Sequence, residues 1–241
     1  MTQQHAATTA ETLGGGTAGT VMAVLAWVPR LVLLHLAWLA LTLLGGVLLG
    51  AAPATVVLIR ILRERGERAA EAAGEGAVRG ADGGVADSGW SGLLVAWRAE
   101  LGPANRVAGP FLLIGAAAAL NVLLGIAGLL PTWFVPAGLI VAAVLALLGA
   151  VCSAHALALR AVHPQLPSPA ARTAALTGML LLPGATLSWA ITIAALVVIS
   201  GIIMPVGLLM SGGIGVTVTA VLLARAWEQR IVDARQTVAA A

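Results

Sequence analysis

The chain has 241 residues, of which 60% are hydrophobic and only 10% charged, and a mean hydropathy of +1.00 puts it far outside the range of soluble globular proteins. Its net charge is only +3 and every basic residue is Arg; these Arg flank apolar stretches instead of clustering with aromatics on a polar surface, which argues against a nucleic-acid partner. The single Cys152 lies in an apolar run, so neither a disulfide framework nor paired thiolate ligation of a metal is available.

Residues 1–19 are small, polar and Gly-rich, the composition of a disordered tail. No Lys or Arg precedes the first apolar stretch, so the basic n-region of a secretory signal is missing and that stretch is expected to stay as a membrane span. From Thr20 to Ile59 the only charge is Arg30, with His35 as the other titratable group. A spanning helix needs about 20 apolar residues to cross ~30 Å of hydrocarbon. The segment 20–66 therefore reads as a transmembrane hairpin: a first span over Val21–Leu43, a turn at Gly45-Gly46, and a second span over Val47–Leu62 bent at Pro53. The alternative is a second helix that is re-entrant or interfacial, which leaves five spans and puts the N-terminus on the opposite side.

Residues 67–106 read as a loop on the Arg-rich side. Arg60–Glu75 alternates charge at helical spacing, and Gly74–Gly92 has the composition of a flexible linker. Leu93, Leu94, Trp97 and Leu101 then share one helical face, with Arg98 and Glu100 off it. That pattern predicts a short amphipathic helix lying on the membrane surface and ended by Gly102-Pro103. Trp97, Arg98 and Leu101 are its candidate partner-binding residues.

Residues 107–224 hold two charge-free runs, Val107–Leu159 and Thr173–Ala224, each long enough for two crossings. The spans are expected at Val107–Leu130, from the turn Pro131–Pro136 to Leu159, at Thr173–Val197, and on to Ala224, the last two joined near Ser200-Gly201 or Met204-Pro205. A Pro-rich break carrying Arg160, His163 and Arg172 separates the two pairs, and 225–241 is a basic tail. The fold class is thus all-α, a polytopic helical membrane protein with six spans. The three outer turns lack Lys and Arg, so the positive-inside rule makes both termini cytoplasmic in a bacterial cell membrane.

An ionisable or polar group at membrane depth is a candidate for a solute or proton path. Three residues qualify: His35 in the first span, Arg60 at the inner end of the second, and Asn121, the carboxamide of the third. The bland readings are a packed neutral imidazole, a guanidinium snorkelling to phosphates, and an interhelical hydrogen bond. His155, His163 and Cys152 make a poor metal set without a nearby carboxylate. Gly46/Gly50, Gly184/Ser188 and Ser211–Gly215 permit close helix contact. Trp133 and Trp227 suit the interfacial aromatic belts. No nucleophile–base–acid set or phosphate-cradling loop occurs, so neither an enzyme nor a cofactor is expected.

Leu34–Leu41, with Trp38, followed by Pro53-Ala54-Thr55, resembles the opening of the YesL-like family of bacterial membrane proteins. His35 stands near the family's usual Asn, and Gly45-Gly46 near a frequent Pro. The resemblance continues at Trp97–Leu101, at Asn121, at Leu182-Pro183 and at Arg225-Ala226-Trp227-Glu228, and so covers residues 21 to 232. It implies a largely uncharacterised accessory protein encoded beside carbohydrate ABC importers, with the lipid bilayer and importer permease subunits as partners. The competing expectation is a self-sufficient small-solute transporter or channel whose polar route is lined by His35, Arg60 and Asn121.

Overall fold

The computed structural model describes residues 17–74, 89–131 and 135–240. The tail 1–16, the linker core 75–88 and Trp133 lie outside the described residues. Among the described residues every regular element is helical: α1 (Thr17–Leu44), α2 (Val47–Gly74), α3 (Gly89–Ile126), α4 (Val135–Val162), α5 (Ser168–Leu181), α6 (Pro183–Ile202), α7 (Met204–Val218), a π-helical turn (Thr219–Ala224) and α8 (Arg225–Ala240). In lipid no water can satisfy a backbone polar group, so uninterrupted apolar runs close their own hydrogen bonds as helices.

Five helical stretches have the length and apolarity to cross a bilayer: Trp27–Leu44, Gly89–Ile126, Val135–Val162, Pro183–Ile202 and Met210–Thr237. The expected second span is not among them, and the physical reason is its length. Its charge-free part, Val47–Ile59, rises only about 20 Å as a helix. That part is instead sealed inside protein, with Ala52, Ala54, Val56 and Ile59 all 0% exposed. Gly46 supplies the hairpin turn, at φ +65°, a region that costs an L side chain roughly 1–2 kcal/mol.

The turn does not sit where a complete crossing would bring it. The Asn105 amide donates to the Leu49 carbonyl at 2.8 Å, and a Cβ built on Gly45 would lie 2.9 Å from the Trp97 ring. The turn is thus level with the stretch of α3 that precedes Arg106, roughly 30 Å of helix before the Ile126 end. A cysteine at Gly46 is accordingly expected to resist an impermeant thiol reagent added from the side on which a cysteine at Ile203 reacts; equal labelling at the two sites would show a hairpin that crosses fully.

Several sequence-based boundaries move. Gly102-Pro103 does not end a separate interfacial helix, since α3 runs unbroken through Pro103 and Pro110. Ala104, Val107 and Ala108 around these prolines are 0–1% exposed, and this packing holds the helix together despite the missing donors. The face bearing Leu93 and Trp97 accordingly turns into the protein and not onto the membrane surface. The span expected at Thr173–Val197 is divided: Leu182 leaves helical geometry (φ −131°, ψ 54°) because the residue before a proline disfavours the α region, and the crossing piece begins at Pro183. A second break at Ile203 (φ −113°, ψ 76°) precedes Met204-Pro205. The last span does not stop at Ala224, since Arg225 keeps helical geometry and the rod continues as α8.

Helices α3 and α4 pack backbone to backbone. A Cβ on Gly149 would lie 2.6 Å from the Gly115 Cα and 2.9 Å from the Phe111 carbonyl oxygen. Neither atom can rotate away, so Gly149→Leu is expected to prise the pair apart and lower stability in detergent by about 1–3 kcal/mol, read as a fall in melting temperature. Gly212 and Gly213 play the same part between α7 and α1: a Cβ on Gly212 would meet Trp38 at 2.6 Å and His35 Nδ1 at 2.7 Å. A Cβ on Gly184, by contrast, would meet nothing within 4 Å among the described residues, and Gly184 and Ser188 are both exposed.

Candidate functional site

The densest polar constellation ties four helices together at the Arg-rich end. Glu100, on the inward face of α3, is only 5% exposed. Its carboxylate is held by Arg160 of α4 through Nε at 3.0 Å and a terminal nitrogen at 3.2 Å, a bidentate fork. Arg60 of α2 reaches the same carboxylate at 2.8 Å and also donates to the Arg160 carbonyl at 3.2 Å. One turn on, Arg63 donates to the Ala161 carbonyl and pairs with Glu228 of α8 and with Glu67. Arg60 thus pairs inside the bundle instead of snorkelling to lipid phosphates. Two guanidiniums share one buried carboxylate, and what this arrangement does chemically is lock α2, α3 and α4.

Three tryptophans form a second set of locks inside the bundle. Trp38 Nε1 donates to Thr55 Oγ1 at 3.0 Å, and Thr55 donates back to the Ala51 carbonyl. Trp189 Nε1 donates to Thr219 Oγ1 at 3.0 Å, and Thr219 donates to Gly215. Trp227 Nε1 donates to His155 Nδ1 at 3.2 Å, while His155 Nε2 lies 2.9 Å from Thr186 Oγ1. The Thr186 hydroxyl gives its one proton to the Leu182 carbonyl, so it accepts from Nε2–H. His155 is therefore a neutral imidazole with its proton on Nε2. Trp227 is buried beside it, its ring edge-on at 6.0 Å, and does not sit in an interfacial belt.

His35, Arg60 and Asn121 do not converge. His35 is buried, stacks on Trp38, and accepts the Gly212 backbone N–H through Nδ1 at 3.1 Å. Arg60 belongs to the Glu100 cluster. Asn121 is exposed on the outer face of α3 and donates to the Ala117 carbonyl of its own helix at 2.9 Å. Of the proposed partner-binding residues, only Arg98 is exposed; Leu101 is partly buried and Trp97 is 4% exposed, with its Nε1 unpaired. Glu100 lies three residues after Trp97 and seven after Leu93, on the same buried face, but its charge set it apart from that face in the sequence. Its distance of 60 residues from Arg160 leaves no local signal, and only an unbroken α3 makes it inward-facing.

A cleft of about 410 Å³ opens between Trp38, Thr55, Gly115, Ser153, Trp189 and Thr219. Its polar groups are satisfied within the protein by the Trp–Thr bonds and by the Ser153 bond to the Ala150 carbonyl. The walls offer a polar solute little to bind. Cys152 is buried, and among the described residues no group of three metal-ligating side chains forms.

Comparison with known proteins reaches only the hairpin. Residues 31–73 match the model of a family described as "Protein of unknown function, DUF624". The match takes in Trp38, Thr55, Arg60 and Arg63, the residues that fasten α1 and α2 to each other and to the rest of the chain. Neither the curated proteins nor the solved structures contain a match.

Proposed function

We propose that this chain is a non-catalytic accessory protein of the cell membrane that docks sideways, within the bilayer, against another membrane protein. The partner class implied by the resemblance is a permease subunit of a carbohydrate importer. The observation that carries the reading is Asn121. A carboxamide makes up to four hydrogen bonds, and among the described residues this one makes a single bond, to its own helix. Counted from Val107, it lies about 20 Å into the membrane-facing part of α3. Polar side chains at such depth ordinarily face another helix, and beside it Ala117, one turn away and also exposed, leaves room for close approach. The Arg-rich end is the cytoplasmic side in this reading.

The test is purification of the tagged full chain in a mild detergent from membranes that express the importer. Permease subunits recovered in stoichiometric amount, and lost with Asn121→Leu while the variant keeps its melting temperature, would support the proposal. Recovery of the chain alone after chemical crosslinking would contradict it.

A further inference from the structure

A cavity of about 1000 Å³ between α1, α2, α3 and the π-helical turn is amphipathic. Its floor is apolar, built from Leu31, Leu34, Leu58, Ile61, Ala220 and Val221 of α1, α2 and the π-helical turn. Its charged lining consists of Arg30, Arg63, Arg65 and Arg225 with Glu67 and Glu228. Both carboxylates are engaged by Arg63. That leaves Arg30, Arg65 and Arg225, all exposed, with no carboxylate partner among the described residues. Arg30 lies over the ring of Trp27, 5.5 Å from its centroid. Trp27 and Trp90, 51% and 52% exposed, line the same cavity, and exposed tryptophans of this kind prefer the headgroup level of a membrane.

We infer that this cavity is a binding site for an anionic phospholipid, its phosphate held by Arg30, Arg65 and Arg225 and the upper part of an acyl chain laid along Leu34, Leu58 and Val221. The site does not rest on the importer reading. Guanidiniums hold a phosphate through paired N–H donors, and three of them without carboxylate partners favour an anionic over a zwitterionic headgroup, whose ammonium would bring a further cation beside them. The apolar floor selects a lipid over a water-soluble anion, which would leave the floor wet. The site also explains why Arg30 interrupts an otherwise apolar α1: the arginine stands at the lip of a cavity that its own helix helps to line.

The experiment is native mass spectrometry of the full chain from nanodiscs containing equal phosphatidylglycerol and phosphatidylcholine. The expected result is one phosphatidylglycerol retained in at least about tenfold preference, as three basic groups near a membrane surface readily supply. Arg30→Gln/Arg65→Gln/Arg225→Gln should abolish the preference. Val221→Trp, which fills the floor and keeps every charge, should abolish retention. Arg98→Gln, exposed and outside the cavity, should change neither. Glycerol 1-phosphate should fail to displace the lipid at millimolar concentration.

Four results would overturn the inference. Retention insensitive to Val221→Trp would mean general attraction of anionic lipid to the Arg-rich surface. Displacement by glycerol 1-phosphate would mean a phosphate site without a lipid. A photoreactive residue at Leu33, which also lines the cavity, that crosslinks to residues 1–16 would assign the cavity to the chain's own N-terminal segment. A crosslink from the same position to another polypeptide would assign it to a protein partner.

Discussion

Replacing Glu100 with alanine is expected to cost about 3–5 kcal/mol, the largest single loss from any surface or polar position of this chain. Removing one partner of a buried ionic cluster leaves uncompensated charge, which is worse than having no cluster. Here two guanidiniums, from α2 and α4, converge on one carboxylate whose side chain is 6% exposed. Without it Arg60 and Arg160 face each other beside the Arg160 carbonyl, and the three helices lose their common tie. Glu100→Gln keeps the shape and should recover only part of the loss. Arg98→Ala, on the exposed face of the same helix, should stay within ~0.5 kcal/mol. Denaturant unfolding in detergent, followed by tryptophan fluorescence, separates the three variants. Equal stability of Glu100→Ala and Arg98→Ala would mean that the cluster is ornamental.

The second large effect is expected at Trp227. Truncating a buried tryptophan to alanine typically costs 3–5 kcal/mol, and Trp227 also carries the donor for His155 Nδ1. Trp227→Ala is therefore expected to lose about that much and to loosen α8 from α4. Trp227→Phe keeps most of the packing but orphans a buried acceptor, at about 1–3 kcal/mol. Melting curves in detergent should rank wild type above Phe above Ala. If Phe and Ala were equally damaging, the hydrogen bond would outweigh the packing; if Phe matched wild type, the bond would be without consequence.

The membrane class and the α3–α4 pair were legible in the chain because two charge-free runs of adequate length leave helices no alternative. The Ser211–Gly215 patch was legible too, since small residues in a span announce close contact, and Gly212 and Gly213 do meet α1 at His35 and Trp38. What escaped was long-range. Nothing local tells that Pro103 will be bridged by packing, so Trp97 and Glu100 were read as surface residues when they face inward. Nothing local tells that the short apolar part of α2 will be shielded by its neighbours, as Val56 and Ile59 are. Arg60 was legible as a residue that pairs or snorkels; which of the two it does depends on Glu100, 40 positions away and on another helix. Trp227, read from its place after an apolar run as a belt residue, is inside because α7 and α8 form one rod that carries it past His155.

If this chain docks through the exposed face of α3, as proposed, that face meets protein and not lipid. The most direct measurement is a photoreactive amino acid at Ala117, one turn from Asn121, irradiated in native membranes and compared with one at Ile140, an exposed apolar position on α4. The expected result is a discrete crosslink from Ala117 to a second membrane protein, identified by mass spectrometry as an importer permease subunit, and only lipid adducts from Ile140. Lipid adducts alone from both positions would contradict it.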